Sequence, residues 1–157
     1  MLCNLLVSLF ASAACLGVTA QGHSFYFEKL TSQNGLSNNK VNCFMQDGRG
    51  FMWIGTDDGL NRYDGQYFTV FKKQPAGQQG LSGNIVTDML EDKQGVLWIA
   101  TADGGITKYN YRQPPVQQFK QFRHRADDSS SIPDNGVTCL LMDGKGYIWL
   151  GTAGQDV

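Results

Sequence analysis

Few residues in this chain could do chemistry, and most of those that could recur at a fixed interval. Asp57 and Asp58 stand together ahead of Gly59, which invites a cation-binding reading. The alternating carboxylates and distal glutamate of a calcium loop do not follow, so turn chemistry is the better account. His23 lies near the N terminus and His124 lies between Arg123 and Arg125. Neither sits in the helical dimerisation segment that a phosphoacceptor histidine needs, so both read as surface residues. Lys120, Arg123 and Arg125 precede Asp127 and Asp128 and read as a solvated loop rather than a phosphate site. No Ser/His/Asp set, phosphate-binding loop or Gly-rich nucleotide motif is present. No catalytic residue, metal site or cofactor is therefore expected.

Cys3 and Cys15 lie in an apolar leader. Cys43 and Cys139 are far apart, without CxxC or Cys/His ligand spacing. They are expected to be two buried thiols, with a disulfide as the alternative in an oxidising compartment. Lys plus Arg number 13 and Asp plus Glu number 14, so there is no basic field to attract nucleic acid. With 19 Gly against 4 Pro, the composition suits a turn-rich β protein.

The elements that would position these residues follow from one pattern that occurs three times. The first copy runs Gly35-Leu36-Ser37-Asn38-Asn39-Lys40-Val41, then Asp47-Gly48-Arg49-Gly50, then Phe51-Met52-Trp53-Ile54-Gly55-Thr56. The second carries Asn84, Asp92, Gly95 and Trp98 at the same offsets, and the third carries Asn135, Asp143, Gly146 and Trp149. The tryptophans are 45 and 51 residues apart, the period of a propeller blade. Within the first copy, Val41 to Met45, Phe51 to Thr56, Leu60 to Tyr63 and Gln66 to Phe71 read as four short strands. Asp47-Gly48-Arg49-Gly50, Asp57-Asp58-Gly59 and Asp64-Gly65 turn the chain between them. Phe51 and Trp53 face one way while Met52 and Ile54 face the other, so both faces of the sheet need cover. Radial stacking of four-stranded sheets supplies that cover. The fold class is thus all-β, an incomplete β-propeller of about two and a half blades.

One role per repeat means structure. Trp53, Trp98 and Trp149 are expected in the core rather than as sugar platforms. Asp47, Asp92 and Asp143, with Gly50, Gly95 and Gly146, are expected to make turns. Asn39, Asn84 and Asn135 are expected to tie loop backbone through their side chains.

Residues 1–20 carry no charged residue, contain an apolar run and end Val18-Thr19-Ala20, which is expected to be a signal peptide cleaved before Gln21. Ser12-Ala13-Ala14-Cys15 is a poor lipoprotein box. Residues 21–34, including Ser24 to Leu30, are expected to be a strand matching Tyr67 to Lys72 and Val116 to Phe122, and to complete the last blade of a ring. Residues 35–79, 80–130 and 131–157 are the three repeats. Gln155 replaces the glycine found at Gly59 and Gly104, and the third repeat stops short, which suggests a truncated chain or a sequencing break.

The string G-L-S-x-N-x-V, D-x-x-G, then aromatic/aliphatic-x-W-I-G-T-x-x-G-L-x-R-Y resembles the two-component regulator propeller repeat over roughly Gly35 to Thr152. The resemblance implies the periplasmic sensor of a hybrid two-component histidine kinase, a homodimer anchored in the inner membrane through segments beyond this chain. It also implies an oligosaccharide or other small-molecule ligand, held on loops at one propeller face where non-repeated residues collect. The candidates are Asp57, Asp58, Arg62, Tyr63, Asp103, Lys108 and Tyr109. The alternatives are a propeller lyase or hydrolase, a secreted carbohydrate-binding module, and the sensor of a diguanylate cyclase.

Overall fold

The computed structural model describes residues 26–75 and 77–154. The leader, His23 and Gln155 lie outside the described residues. Among the described residues ten strands form in chain order: β1 (Val41–Gln46), β2 (Met52–Thr56), β3 (Gly59–Tyr63), β4 (Phe68–Phe71), β5 (Val86–Glu91), β6 (Leu97–Thr101), β7 (Gly105–Tyr109), β8 (Phe119–Phe122), β9 (Val137–Met142) and β10 (Ile148–Thr152). β1 to β4 make one antiparallel meander, β5 to β8 a second, and β9 pairs with β10 in a third. No helix among the described residues is long and apolar enough to cross a membrane.

Each first hairpin is closed by the same device. In the first blade, Asp47 Oδ1 accepts the backbone N–H groups of Arg49 and Phe51, both at 3.0 Å. Gly50 completes the turn at φ 91°, a region closed to most side chains. The second oxygen of Asp47 accepts the indole N–H of Trp53 at 2.9 Å. Asp92 does the same for Gln94, Val96 and Trp98, and Asp143 for Lys145, Tyr147 and Trp149. One aspartate therefore fixes both the turn and the rotamer of a bulky strand residue.

The repeat asparagines bond to loop backbone through their side chains. Asn39 Oδ1 accepts Ser32 N–H at 2.8 Å, Asn84 accepts Lys73 N–H at 2.8 Å, and Asn135 accepts His124 N–H at 2.9 Å. These bonds put residues 26–30 in the register of β4 and β8. Even so, Tyr26 to Leu30 form no strand, and Tyr26 and Phe27 are exposed. An outer strand needs a third strand to bond to, and none lies beside this segment among the described residues. The strand expected from Val116 also starts later, because Pro115–Gln117 take a 3-10 turn before β8.

Blades are joined through a feature that the sequence pattern does not show. Asn42, Thr87 and Thr138 are unpaired bulge residues on the first strand of each blade. A bulge re-aims its side chain. Asn42 Nδ2 thereby donates to Val86 O at 3.0 Å in the next blade, and Thr87 Oγ1 donates to Val137 O at 2.6 Å in the one after. Gly55 lets the sheets approach, since a Cβ there would lie 2.5 Å from Cys43 Sγ and 2.6 Å from Val86 Cγ1.

The main core lies between the first two blades and contains Trp53, Leu60, Leu81, Val86, Met89, Leu97, Ile99 and Tyr109. A smaller core of Ala100, Ile106 and Val137 lies between the second and third. The three tryptophans, expected in like surroundings, are therefore unequal: Trp53 is 0% exposed, Trp98 is half-buried and Trp149 is 64% exposed. Their local bonds are alike, but their cover differs. The expectation of two buried thiols is corrected as well. Cys43 and Cys139 are unbonded, Cys43 is half-buried and Cys139 is exposed. Burial, with the Asp88 charge adding to it, pushes the Cys43 thiol up to about 12.

Candidate functional site

The seven residues singled out from the sequence do not converge on one site, because a meander places alternate turns at opposite ends of each blade. At one end lie Asp57, Asp58 and Asp103, in the β2–β3 and β6–β7 turns. Asp57 pairs with Lys40 Nζ at 2.7 Å and accepts Asn42 Nδ2 at 2.8 Å. The Lys40 and Asn42 hydrogen bonds hold its carboxyl below the usual range. Asp58 pairs with Lys72 Nζ at 2.6 Å. Asp103 accepts the backbone N–H groups of Asn84 and Ile85, at 3.4 and 3.3 Å, in a notch left by Gly83. It is a loop support.

At the other end lie Arg62 and Tyr63 on β3, and Lys108 and Tyr109 on β7. Tyr63 donates its hydroxyl to Gly65 O at 2.8 Å and stacks on Phe68 with 4.7 Å between ring centroids. The Lys108 ammonium stands over the Trp98 ring, 5.2 Å from its centroid. Tyr109 is 5% exposed and packs edge-on to Trp53 at 5.8 Å and against Phe119 at 4.8 Å. Burial raises its hydroxyl pKa, against the pull of the Arg62 and Arg49 charges. Its place is in the core between the blades, where packing and not ligand contact is its role.

Arg62 belongs to a group that repeat logic passes over. Its guanidinium lies 4.7 Å from the Phe51 centroid, and that of Arg49 lies 5.0 Å from the same ring. Arg49 in turn stacks on Tyr111 of the next blade at 3.6 Å, and Arg112 stands 4.7 Å from Tyr111. Cations and rings thus alternate across the junction of the first two blades. Arg62 Nε is buried without a hydrogen-bond partner among the described residues. Beside this ladder is a crevice of about 320 Å³ lined by Arg49, Tyr111, Arg112 and Glu91. Arg49, Phe51 and Tyr111 sit where the other repeats carry different residues, and that irregularity was the available signal.

Burial works against the charge of Asp47, but the Trp53 indole, the Arg49 guanidinium and the N–H groups of Phe51 and Arg49 outweigh it and hold the carboxyl below its ordinary value. Among the described residues there is no cluster of His, Cys, Asp and Glu that could hold a metal ion.

Comparison with known proteins bears on what these faces serve. The family described as two component regulator propeller matches residues 35–58, 80–103 and 131–154. Histidine kinase P4 of Formosa agariphila is 39% identical over 69 residues, which are 44% of this chain and 5% of that protein. The extracellular domain of the hybrid two component system BT3049 from B. thetaiotaomicron superposes with a TM-score of 0.70 at 32% identity. That match covers 78% of this chain and 17% of the other, so the chain spans only a small part of either relative.

Proposed function

We propose that this chain, which carries three copies of the two-component regulator propeller repeat, belongs to the extracytoplasmic ligand-sensing propeller of a two-component receptor. The observation that carries the proposal is the agreement of repeat and fold. The repeat match falls on the inner-strand hairpins of the three blades, and the same fold forms an extracellular domain of a hybrid two component system at 32% identity. On this reading the chain is periplasmic, the output is a histidine kinase borne by the rest of the protein, and the receptor is a homodimer. Its ligand is an oligosaccharide. Ligand binding would favour one arrangement of the two protomers over another, and kinase activity would follow that equilibrium.

Of the seven candidates, Asp57, Asp58, Arg62, Tyr63, Asp103 and Lys108 retain some access to solvent, whereas Tyr109 is enclosed. The test is calorimetry of the receptor's complete exported portion against a panel of oligosaccharides, alongside a transcriptional reporter of the full-length receptor. Binding of one oligosaccharide with a matching reporter response is expected. Silence across the panel in both assays would sink glycan sensing.

A further inference from the structure

One crevice among the described residues lies away from all seven candidates. It has a volume of about 710 Å³ and is bounded by the segment linking the first two blades and by strand β8. Its chemistry is one-sided. Lys73, Gln74, Gln78 and Gln79 come from the linking segment and Gln121 and Arg123 from β8 and its end, while no Asp or Glu lines it among the described residues. Lys120 also borders it, but its ammonium stands over the Phe122 ring, 5.2 Å from the centroid.

The walls are held before any ligand arrives. Lys73 N–H is bonded to Asn84, and Lys73 forms a bridge with Leu81. Gln79 Oε1 accepts Phe119 N–H at 3.0 Å, which leaves its amide nitrogen for another partner. Gln121 Nε2 donates to Gly80 O and Leu81 O, both at 3.1 Å, which leaves its carbonyl oxygen. Arg123 gives one N–H to Ser82 O at 2.7 Å and keeps the rest of its fork. Gln74 and Gln78 are exposed. The corresponding crevice before the third blade, about 480 Å³, differs: Arg125 is paired there with Asp128, and Ser131 is bonded to Arg125.

We infer that the crevice between residues 73–75 and 77–80 on one side and β8 on the other binds an acidic oligosaccharide. Side-chain amides offer a donor and an acceptor together, the combination that neighbouring sugar hydroxyls require. Lys73 and Arg123, with no carboxylate opposing them, would receive a uronate or sulfate group. This inference rests on the reading of the chain as an oligosaccharide sensor and names where and what it would sense.

The experiment is titration of the receptor's exported portion with a galacturonate tetramer and with its neutral galactose counterpart. The acidic probe should bind more tightly, and raising the salt concentration should weaken that preference. Lys73→Glu should reduce its affinity at least about tenfold, as expected for reversing a charge in direct contact with an anion. Gln78→Ala should cost less, about threefold. Circular dichroism and unchanged thermal unfolding would certify that both variants fold. Equal binding of the two probes, or an affinity unmoved by Lys73→Glu, would overturn the site while leaving the sensor reading intact. Failure of both probes to bind, with binding of some other oligosaccharide, would also overturn the site alone. Failure of every oligosaccharide would remove both.

Discussion

Trp53 and Trp149 occupy the same place in the second strand of a blade and make the same bond to an aspartate, at 2.9 and 3.1 Å. One is completely buried and the other is 64% exposed. The hairpin is therefore written locally, by Asp, Gly and Trp at fixed offsets, and forms whether or not anything covers it. Burial comes from the neighbouring blade, whose Met89, Leu97 and Tyr109 share the core with Trp53. In a repeat architecture stability resides in these nearest-neighbour interfaces as much as in the repeats themselves.

The largest effect expected is on that core. Trp53→Ala should destabilise the chain by about 3–5 kcal/mol, the usual cost of deleting a large buried aromatic. Trp149→Ala, on the exposed face, should cost under about 1 kcal/mol. Urea unfolding of the two variants beside the parent would measure the difference. Equal losses would mean that the third sheet is covered in solution.

The next effect concerns the aspartates that hold these tryptophans. Asp47→Ala strands a buried indole N–H and two turn N–H groups, and should cost about 2–3 kcal/mol. Asp143→Ala, whose partners can turn to water, should cost distinctly less. Acidity offers a second test of the Asp47 bonds. The folded-state pKa of Asp47 lies below its unfolded value, so its contribution is fully present above the unfolded value. That contribution is lost as pH falls through the folded one. Stability measured from pH 6 down to pH 2 should fall less steeply in Asp47→Asn than in the parent. A slope unchanged by the substitution would contradict the bonding described for Asp47.

The same contrast explains how much could be read from the sequence. The hairpin turns, the asparagine ties and the strand order follow from residues that recur, since recurrence marks a structural role. The bulges at Asn42, Thr87 and Thr138 escaped notice because an extra residue on one strand changes no sequence offset. Tyr109 reads from the sequence as one of the residues at a ligand-binding propeller face, whereas Phe71 and Phe119 pack against its ring. Candidate site residues were the least legible part. Asp57, Asp58 and Asp103 are bound to lysines or backbone contributed by other segments, and only the folded arrangement brings those partners to them.

The smallest effect belongs to the cation and aromatic ladder that spans the first junction and has no counterpart at Gln94 in the second repeat. Arg49 both pairs with Asp47 and stacks on Tyr111, so its truncation alone would confuse two interactions. A double-mutant cycle isolates the stack. Arg49→Ala and Tyr111→Ala, separately and together, should reveal a coupling of about 0.5–1 kcal/mol. Arg112→Ala, at the exposed end of the ladder, should change stability by less than about 0.5 kcal/mol. Additive effects of the Arg49 and Tyr111 substitutions would show that the stack contributes nothing to the junction. Cohesion of the first two blades would then fall to the apolar core and to hydrogen bonds such as those from Asn42 to Val86 O and from Gly48 N–H to Glu91.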